Sequence, residues 1–178
     1  MELIVDNKIK LRQLIQEDAA DIFAAINSQR EYLGKWLPFV EQTKSVFDTQ
    51  SFVDSIIDLP KDKMEYTFTI RIDGSLAGLI GFKSADRANR KTEIGYWLSE
   101  EHQGKGVMTK SVKRLCEFAF QELNMNRIQI KCAVGNSASI AVPERLGFMR
   151  EGIERDGELL TGALFTDLYI FSLLFSEA

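Results

Sequence analysis

Between Met108 and Leu123 the apolar residues Met108, Val112, Leu115, Cys116, Ala119, Phe120 and Leu123 recur at i, i+4, i+7, i+8, i+11, i+12 and i+15. That spacing marks one face of a long α-helix. Such a helix is stable chiefly when this face is buried, so the chain must build an apolar surface beside it. The flanking segments can do so. Thr92 to Leu98 (TEIGYWL) and Arg127 to Val134 (RIQIKCAV) read as strands, bounded by turn residues and rich in β-branched and aromatic side chains. Gly95, in the middle of the first, marks a bulge or a close backbone approach.

The rest of the chain follows the same alternation of elements. Lys8 to Leu14 alternates polar and apolar residues as a strand does. Asp18 is placed to cap a helix carrying Ile22, Phe23 and Ile26. An aromatic-rich break from Tyr32 to Phe39 precedes a second amphipathic helix, about Thr49 to Leu59, stopped by Pro60. Tyr66 to Ile72 and Leu76 to Phe82 read as strands joined by an Asp73-Gly74 hairpin turn, and a polar connection, Ser84 to Lys91, leads into TEIGYWL. After RIQIKCAV come a short helix, Ser137 to Leu146, and a hairpin that begins at Gly147-Phe148 and returns through Leu164 to Leu174. Pro143 lies inside that helix. It has no N–H and clashes with the carbonyl of Ser139, a cost of about 3 kcal/mol in a regular helix, so a break or kink is expected there. This order predicts an α/β (α+β) fold: a mixed sheet with helices on both faces.

At 178 residues the chain is expected to form one domain, residues 1–178. Twenty-two Lys and Arg against 26 Asp and Glu leave a net charge of −4, which disfavours a general nucleic-acid binder, because neutralising phosphates requires a basic face. Cys116 and Cys132 show neither metal-ligand spacing nor a paired framework and read as buried thiols of a reducing compartment. His102 is the single histidine, so most His-ligated metal sites are excluded and no metal is expected. Met1 to Leu14 lacks the features of a secretory signal. No window approaches the roughly 18 consecutive apolar residues of a membrane span, and cytoplasmic residence is the default expectation.

Chemistry concentrates in Gln103-Gly104-Lys105-Gly106-Val107-Met108, between a strand and the long helix. A glycine turn at a helix start presents unpaired N–H groups, the positive end of the helix dipole and little bulk, which are the requirements of a diphosphate cradle. From Gln103 to Arg114 the residues Lys105, Lys110, Lys113 and Arg114 bring four positive charges and no acid intervenes. A helix start with a solvated basic face is the alternative reading. The Walker spelling fails, since Ser99 and Gly106 stand where Gly and Ser or Thr are required. The Rossmann fingerprint fails too, since Thr109 replaces its third glycine.

Taken together, Glu93-Ile94-Gly95-Tyr96-Trp97-Leu98, Gln103-x-x-Gly106 with GKGVMTK, Asn136-x-x-Ser139 and Leu146-Gly147-Phe148 resemble the GCN5-related N-acetyltransferase (GNAT) superfamily. In detail they are similar to its RimJ/RimL branch of ribosomal-protein N-terminal acetyltransferases. The resemblance implies a mostly antiparallel sheet in which two central parallel strands, here Thr92 to Leu98 and Arg127 to Val134, splay apart to admit acetyl-CoA. It implies direct acetyl transfer to an amine, most simply the N-terminal α-amine of a ribosomal protein. A small amine such as a polyamine or aminoglycoside is the alternative acceptor, and a non-catalytic CoA-binding module the alternative role. By analogy the chain would form a homodimer, with neither nucleic acid nor membrane as partner.

The same resemblance assigns residues. The backbones of Trp97 and Leu98 would face the pantetheine arm, with the Leu98 N–H aimed at the thioester oxygen. Gln103, Gly104, Lys105, Gly106, Val107, Met108 and Thr109 would hold the diphosphate, Met108 standing where relatives carry a small residue. Asn136 would bind the pantetheine amides, and Arg145 would reach the adenosine phosphates. Glu93 is the candidate base, with Asp167 as a weaker one. Many relatives place an acidic tyrosine where this chain has Pro143, so Ser139 becomes the candidate donor to the leaving thiolate, against the reading that it only caps a helix turn. Tyr32, Leu33, Trp36, Leu37 and Phe39 read as core or as a lid over the acceptor. Glu17, Asp18, Asp21, Asp54 and Asp58 read as solvated helix faces or as attraction for a basic acceptor.

Overall fold

The structure is a computed structural model describing residues 1–60, 63 and 65–178. Along the chain run β1 (Glu2–Ile4), β2 (Ile9–Gln13), α1 (Asp18–Asn27), α2 (Arg30–Gly34), α3 (Phe39–Gln42), α4 (Val46–Ile57), β3 (Thr67–Ile72), β4 (Ser75–Asp86) and β5 (Lys91–Leu98). They are followed by α5 (Val107–Gln121), β6 (Arg127–Ala133), α6 (Ser137–Arg145), β7 (Met149–Leu160) and β8 (Leu164–Leu174). The strands form one sheet in the order β1-β2-β3-β4-β5-β6-β8-β7. Among the described residues every neighbouring pair is antiparallel except β5 with β6. This is the mixed, mostly antiparallel sheet the sequence predicts.

Each face of the sheet is closed by helices. The apolar stripe of α5 packs with Phe68, Phe82, Ile94 and Ile130 on one face, joined by Val142 of α6. Val112, Leu115 and Ala119 at its centre are fully buried; burying a leucine of this kind stabilises by about 1.5–3 kcal/mol. On the other face Ile22 and Ile26 of α1 and Val53 of α4 pack over Leu79 and Trp97. The β3–β4 hairpin turns at Asp73 and Gly74, with φ of 49° and 88°, the left-handed pair that matches strand twist.

Several expectations are corrected. Asp18 does not cap α1. It is buried, and its carboxylate accepts from Arg12, from Arg71 Nη2 at 2.6 Å and from the Ile15 N–H at 3.0 Å, joining β2, β3 and the start of α1. Helix α4 begins at Val46 rather than Thr49 because Ser45 and Asp48 form a capping box. The aromatic break contains two short helices, α2 and α3. The connection after Phe82 is shorter than expected, since β4 runs to Asp86; Lys83 and Ser84 are exposed, and the strand passes them with one register shift against β5 between Phe82 and Ser84. Finally, α6 is not broken at Pro143 but continues to Arg145, for a reason visible at the site.

Candidate active site

Strands β5 and β6 pair only at their starts, Lys91 with Arg127, Thr92 with Ile128 and Glu93 with Gln129. Beyond that point β5 stays on β4 as far as Leu98, opposite Gly78, and β6 stays on β8 as far as Ala133, opposite Leu168. A V-shaped gap opens between them. The phase of pairing shows which groups line it. The Phe82 N–H bonds Tyr66 O, just before β3, at 2.9 Å and the Ser99 N–H bonds Ala77 O at 2.8 Å, so Leu79 and Gly81 direct their backbone to β5. Trp97 and Gly95, opposite them, therefore face β4, while Ile94, Tyr96 and Leu98 direct N–H and C=O into the gap. The expectation for Leu98 agrees with this geometry. That for Trp97 is corrected by the two-residue period: its backbone faces β4 and its indole is buried on the α1–α4 side.

At the open end of β5 the chain turns through Gly104 and Gly106, with φ of 69° and 73°, into α5. Gly106 is the N-cap and offers no side chain to the first turn, so the leading N–H groups of α5 are left for a ligand. A Cβ at either glycine would meet nothing within 4 Å, leaving room for a bulky anion. Gln103 donates to the Tyr32 hydroxyl, tying this loop to α2. Gln29 does the same next to it, bonding Ser99 Oγ and the Glu100 N–H, each at 2.9 Å. The basic run is partly engaged: Lys110 bonds Asp6 at 2.8 Å, holding that carboxyl at a pKa of about 2, and Arg114 lies 3.8–3.9 Å from Glu122 and Glu117. Among the described residues Lys105 and Lys113 have no carboxylate within salt-bridge distance.

The gap opens into a cavity of about 550 Å3. From the sheet it is lined by Gly95, Tyr96, Trp97, Lys131, Cys132 and Ala133, and from the helical side by Ile22 and Ile26 of α1, Trp36 and Leu37 between α2 and α3, Phe39 of α3 and Phe52 of α4. The aromatic break thus divides. Trp36, Leu37 and Phe39 wall the cavity, Leu33 is core, and Tyr32 holds the loop. The Trp36 ring also lies 3.6 Å from where a Cβ of Gly135 would stand, so the α2–α3 segment reaches across to the end of β6. Gly95 is neither bulged nor crossed closely by another backbone; it leaves room for the Lys83 side chain, whose Cε would lie 2.5 Å from a Cβ there.

Glu93 sits at the foot of the gap, where β5 and β6 part. Its carboxylate lies 3.8 Å from Lys83 Nζ, 3.9 Å from Lys131 Nζ and 3.3 Å from Gln129 Nε2. Lys131 also bonds Glu154 at 2.8 Å, and that contact is the main cause of its raised pKa. Asp167 is removed from consideration, since its carboxylate accepts the Asp156 N–H at 2.9 Å within the last hairpin. Arg145 is exposed at the end of α6 and does not line the cavity.

Asn136 caps α6 through Oδ1, which accepts the Ser139 N–H at 3.2 Å, leaving its NH2 group to donate into the cavity it lines. Ser139 is therefore not the cap. Its Oγ lies 3.3 Å from Cys132 Sγ and 3.4 Å from Tyr96 Oη, and burial pushes the Cys132 thiol up. Sequence reasoning missed Tyr96, Cys132 and Glu158, which lines the cavity from β7. Tyr96 lies inside the Glu93 to Leu98 run, but nothing local in that run shows that a β5 side chain meets α6.

Comparisons with known proteins agree with this geometry. The sequence profile described as "Acetyltransferase (GNAT) domain" matches residues 8–149. YdaF of Bacillus subtilis (strain 168), provisionally named a ribosomal N-acetyltransferase, is 40% identical over 97% of this chain and 94% of its own. The structure of RimL, a ribosomal L7/L12 α-N-protein acetyltransferase in complex with coenzyme A as a CoA–cysteine disulfide, superposes with a TM-score of 0.94 at 25% identity, covering 100% of both chains. Spermidine N(1)-acetyltransferase of Escherichia coli (strain K12) is 27% identical over 82% of this chain and 75% of its own.

Proposed function

The chain belongs to the acetyltransferase (GNAT) family and is an acetyl-CoA-dependent acetyltransferase; on that premise we propose that its acceptor is the N-terminal α-amine of a ribosomal protein. The observation carrying the donor half is the parting of β5 from β6 beside an uncapped helix start, which offers an extended chain of amides and a diphosphate their hydrogen-bond partners together. Acetyl-CoA supplies an activated acyl group on a thiolate leaving group. The N–H groups from Gly104 to Thr109 hold the diphosphate. The Leu98 N–H, directed into the gap, bonds the thioester oxygen more strongly as negative charge develops there, so it favours the transition state over the ground state. The amide of Asn136 donates to the pantetheine arm.

Glu93, directly or through a water, takes the proton of the incoming amine. An α-amine titrates near 7.7–8.0 against about 10.4 for lysine, so a carboxylate suffices for the former. Glu93, like Gly95 and Trp97, lies on the α1–α4 face of the sheet, by the two-residue alternation of β5. Tyr96 lies on the α5–α6 face and meets Ser139 there. Amine and leaving sulfur are thus served from opposite sides, and the Ser139 hydroxyl donates a hydrogen bond to the sulfur as it departs.

Similarity to YdaF and to RimL supports the α-amine acceptor. Similarity to the spermidine enzyme, with the carboxylates Asp48, Glu65 and Glu158 lining the cavity, favours a polyamine as the second reading. Purified protein with acetyl-CoA and either a peptide with a free N-terminus, the same peptide blocked at its N-terminus but carrying lysine, or spermidine decides between them by thiol release. Turnover with the first alone is expected. Turnover with spermidine alone would replace this reading by the second. CoA-dependent thermal stabilisation without release from any amine would leave only a CoA-binding module.

A further inference from the structure

Pro143 lies within α6, so no N–H at that position reaches the carbonyl of Ser139 four residues earlier. A half-buried helix carbonyl freed in this way is left to find another donor. Tyr96 provides it. Its phenol, reaching from β5 across the mouth of the gap, donates to Ser139 O at 3.1 Å. The same phenol oxygen is 3.4 Å from Ser139 Oγ, which is also 3.3 Å from Cys132 Sγ on β6. Ser139 is thereby held by its carbonyl to one arm of the gap while its hydroxyl lies between the two arms.

The geometry points to Tyr96 as a positioning residue, whose hydroxyl replaces the N–H that Pro143 lacks and so holds the Ser139 hydroxyl where the CoA sulfur leaves. This rests on the role of Ser139 given above. Tyr96 acts by placement rather than by giving up its own proton: that proton is directed at a carbonyl, and burial raises the phenol above its ordinary pKa. The arrangement also accounts for a helix that continues through a proline, because the hydrogen bond the proline removes is restored from outside the helix.

The test compares Tyr96→Phe, Ser139→Ala, Pro143→Ala and the pairs Tyr96→Phe/Ser139→Ala and Tyr96→Phe/Pro143→Ala, by steady-state thiol release. Losing one placed hydrogen bond is expected to lower kcat about five- to tenfold in Tyr96→Phe, with KM for acetyl-CoA nearly unchanged. Adding Tyr96→Phe to Ser139→Ala is expected to cost nothing more, since no hydroxyl remains to be held. Pro143→Ala restores an N–H to the Ser139 carbonyl, so it is expected to return most of the lost kcat to Tyr96→Phe, a rescue that a purely structural tyrosine would not show. A multiplicative loss in the Tyr96→Phe/Ser139→Ala pair, no rescue by Pro143→Ala, or an unchanged kcat in Tyr96→Phe would overturn the assignment while leaving Ser139 in place. Full turnover by Ser139→Ala would remove both.

Discussion

Gly106→Ala tests the proposal that the start of α5 holds the nucleotide, and Gly74→Ala supplies its control. Both glycines have positive φ, 73° and 88°, and a Cβ at either meets nothing within 4 Å. The steric cost is therefore the left-handed backbone alone, about 1–2 kcal/mol for an L-residue. For a chain of this size about 1 kcal/mol moves Tm by roughly 2–4 °C, so both variants should melt about 2–8 °C below the parent. They should differ in binding. Gly74 is in the β3–β4 turn, whereas Gly106 sets the direction of the leading N–H groups of α5. A hydrogen bond to a charged group contributes about 1.5–3 kcal/mol, so misdirecting one should weaken CoA about ten- to a hundredfold. Calorimetric titration of CoA measures this, with pantetheine, which lacks the diphosphate, bound alike by all three proteins. Equal CoA affinity in Gly106→Ala and Gly74→Ala would refute the reasoning.

Glu93→Gln should slow turnover by about a hundredfold at pH 6.5 and much less at pH 9, where an α-amine is already deprotonated; equal loss at both pH values, or a larger pH-dependent loss in Glu158→Gln, would move the base elsewhere. Asp18→Ala leaves Arg12 and Arg71 facing an empty site. It should cost about 2–3 kcal/mol by urea denaturation, less than the roughly 3–5 kcal/mol of a fully buried pair because Arg71 keeps Asp21 at 3.2 Å. Glu151, bonded by Arg127 and Ser172, has its pKa lowered from 4.5 to about 2. Because its folded pKa is the lower one, its contribution is complete above pH 4.5 and is lost as pH falls towards 2; Arg127→Ala should flatten the acid limb of the stability profile over that interval.

What the sequence reveals and what it hides follow a physical division. Helix α5 is legible because its burial is a period in the chain itself, and the Asp73-Gly74 turn because only certain residues accept positive φ at both positions. The glycine turn into α5 is legible for the same local reason, since Gly104 and Gly106 both have positive φ. Partners distant in sequence are not. Asp18 has the composition and place of a cap, yet two arginines from different strands claim its carboxylate. Pro143 reads as a helix breaker because the phenol that compensates for it lies 47 positions away on β5. Trp97 and Leu98 read alike in sequence, yet neighbours on a strand direct their backbones to opposite edges, and only the pairing with β4 settles which of them faces the gap. Glu158 reaches the cavity through a long hairpin whose register includes shifts between Glu154 and Glu158, beyond the reach of any pattern of alternation.

A crystal structure of the protein with CoA tests the central claim most directly. The account predicts the pantetheine arm between β5 and β6, hydrogen-bonded to Tyr96 and Leu98 backbone groups, with the diphosphate against the N–H groups from Gly104 to Thr109. CoA bound outside the gap, with that helix start untouched, would contradict it.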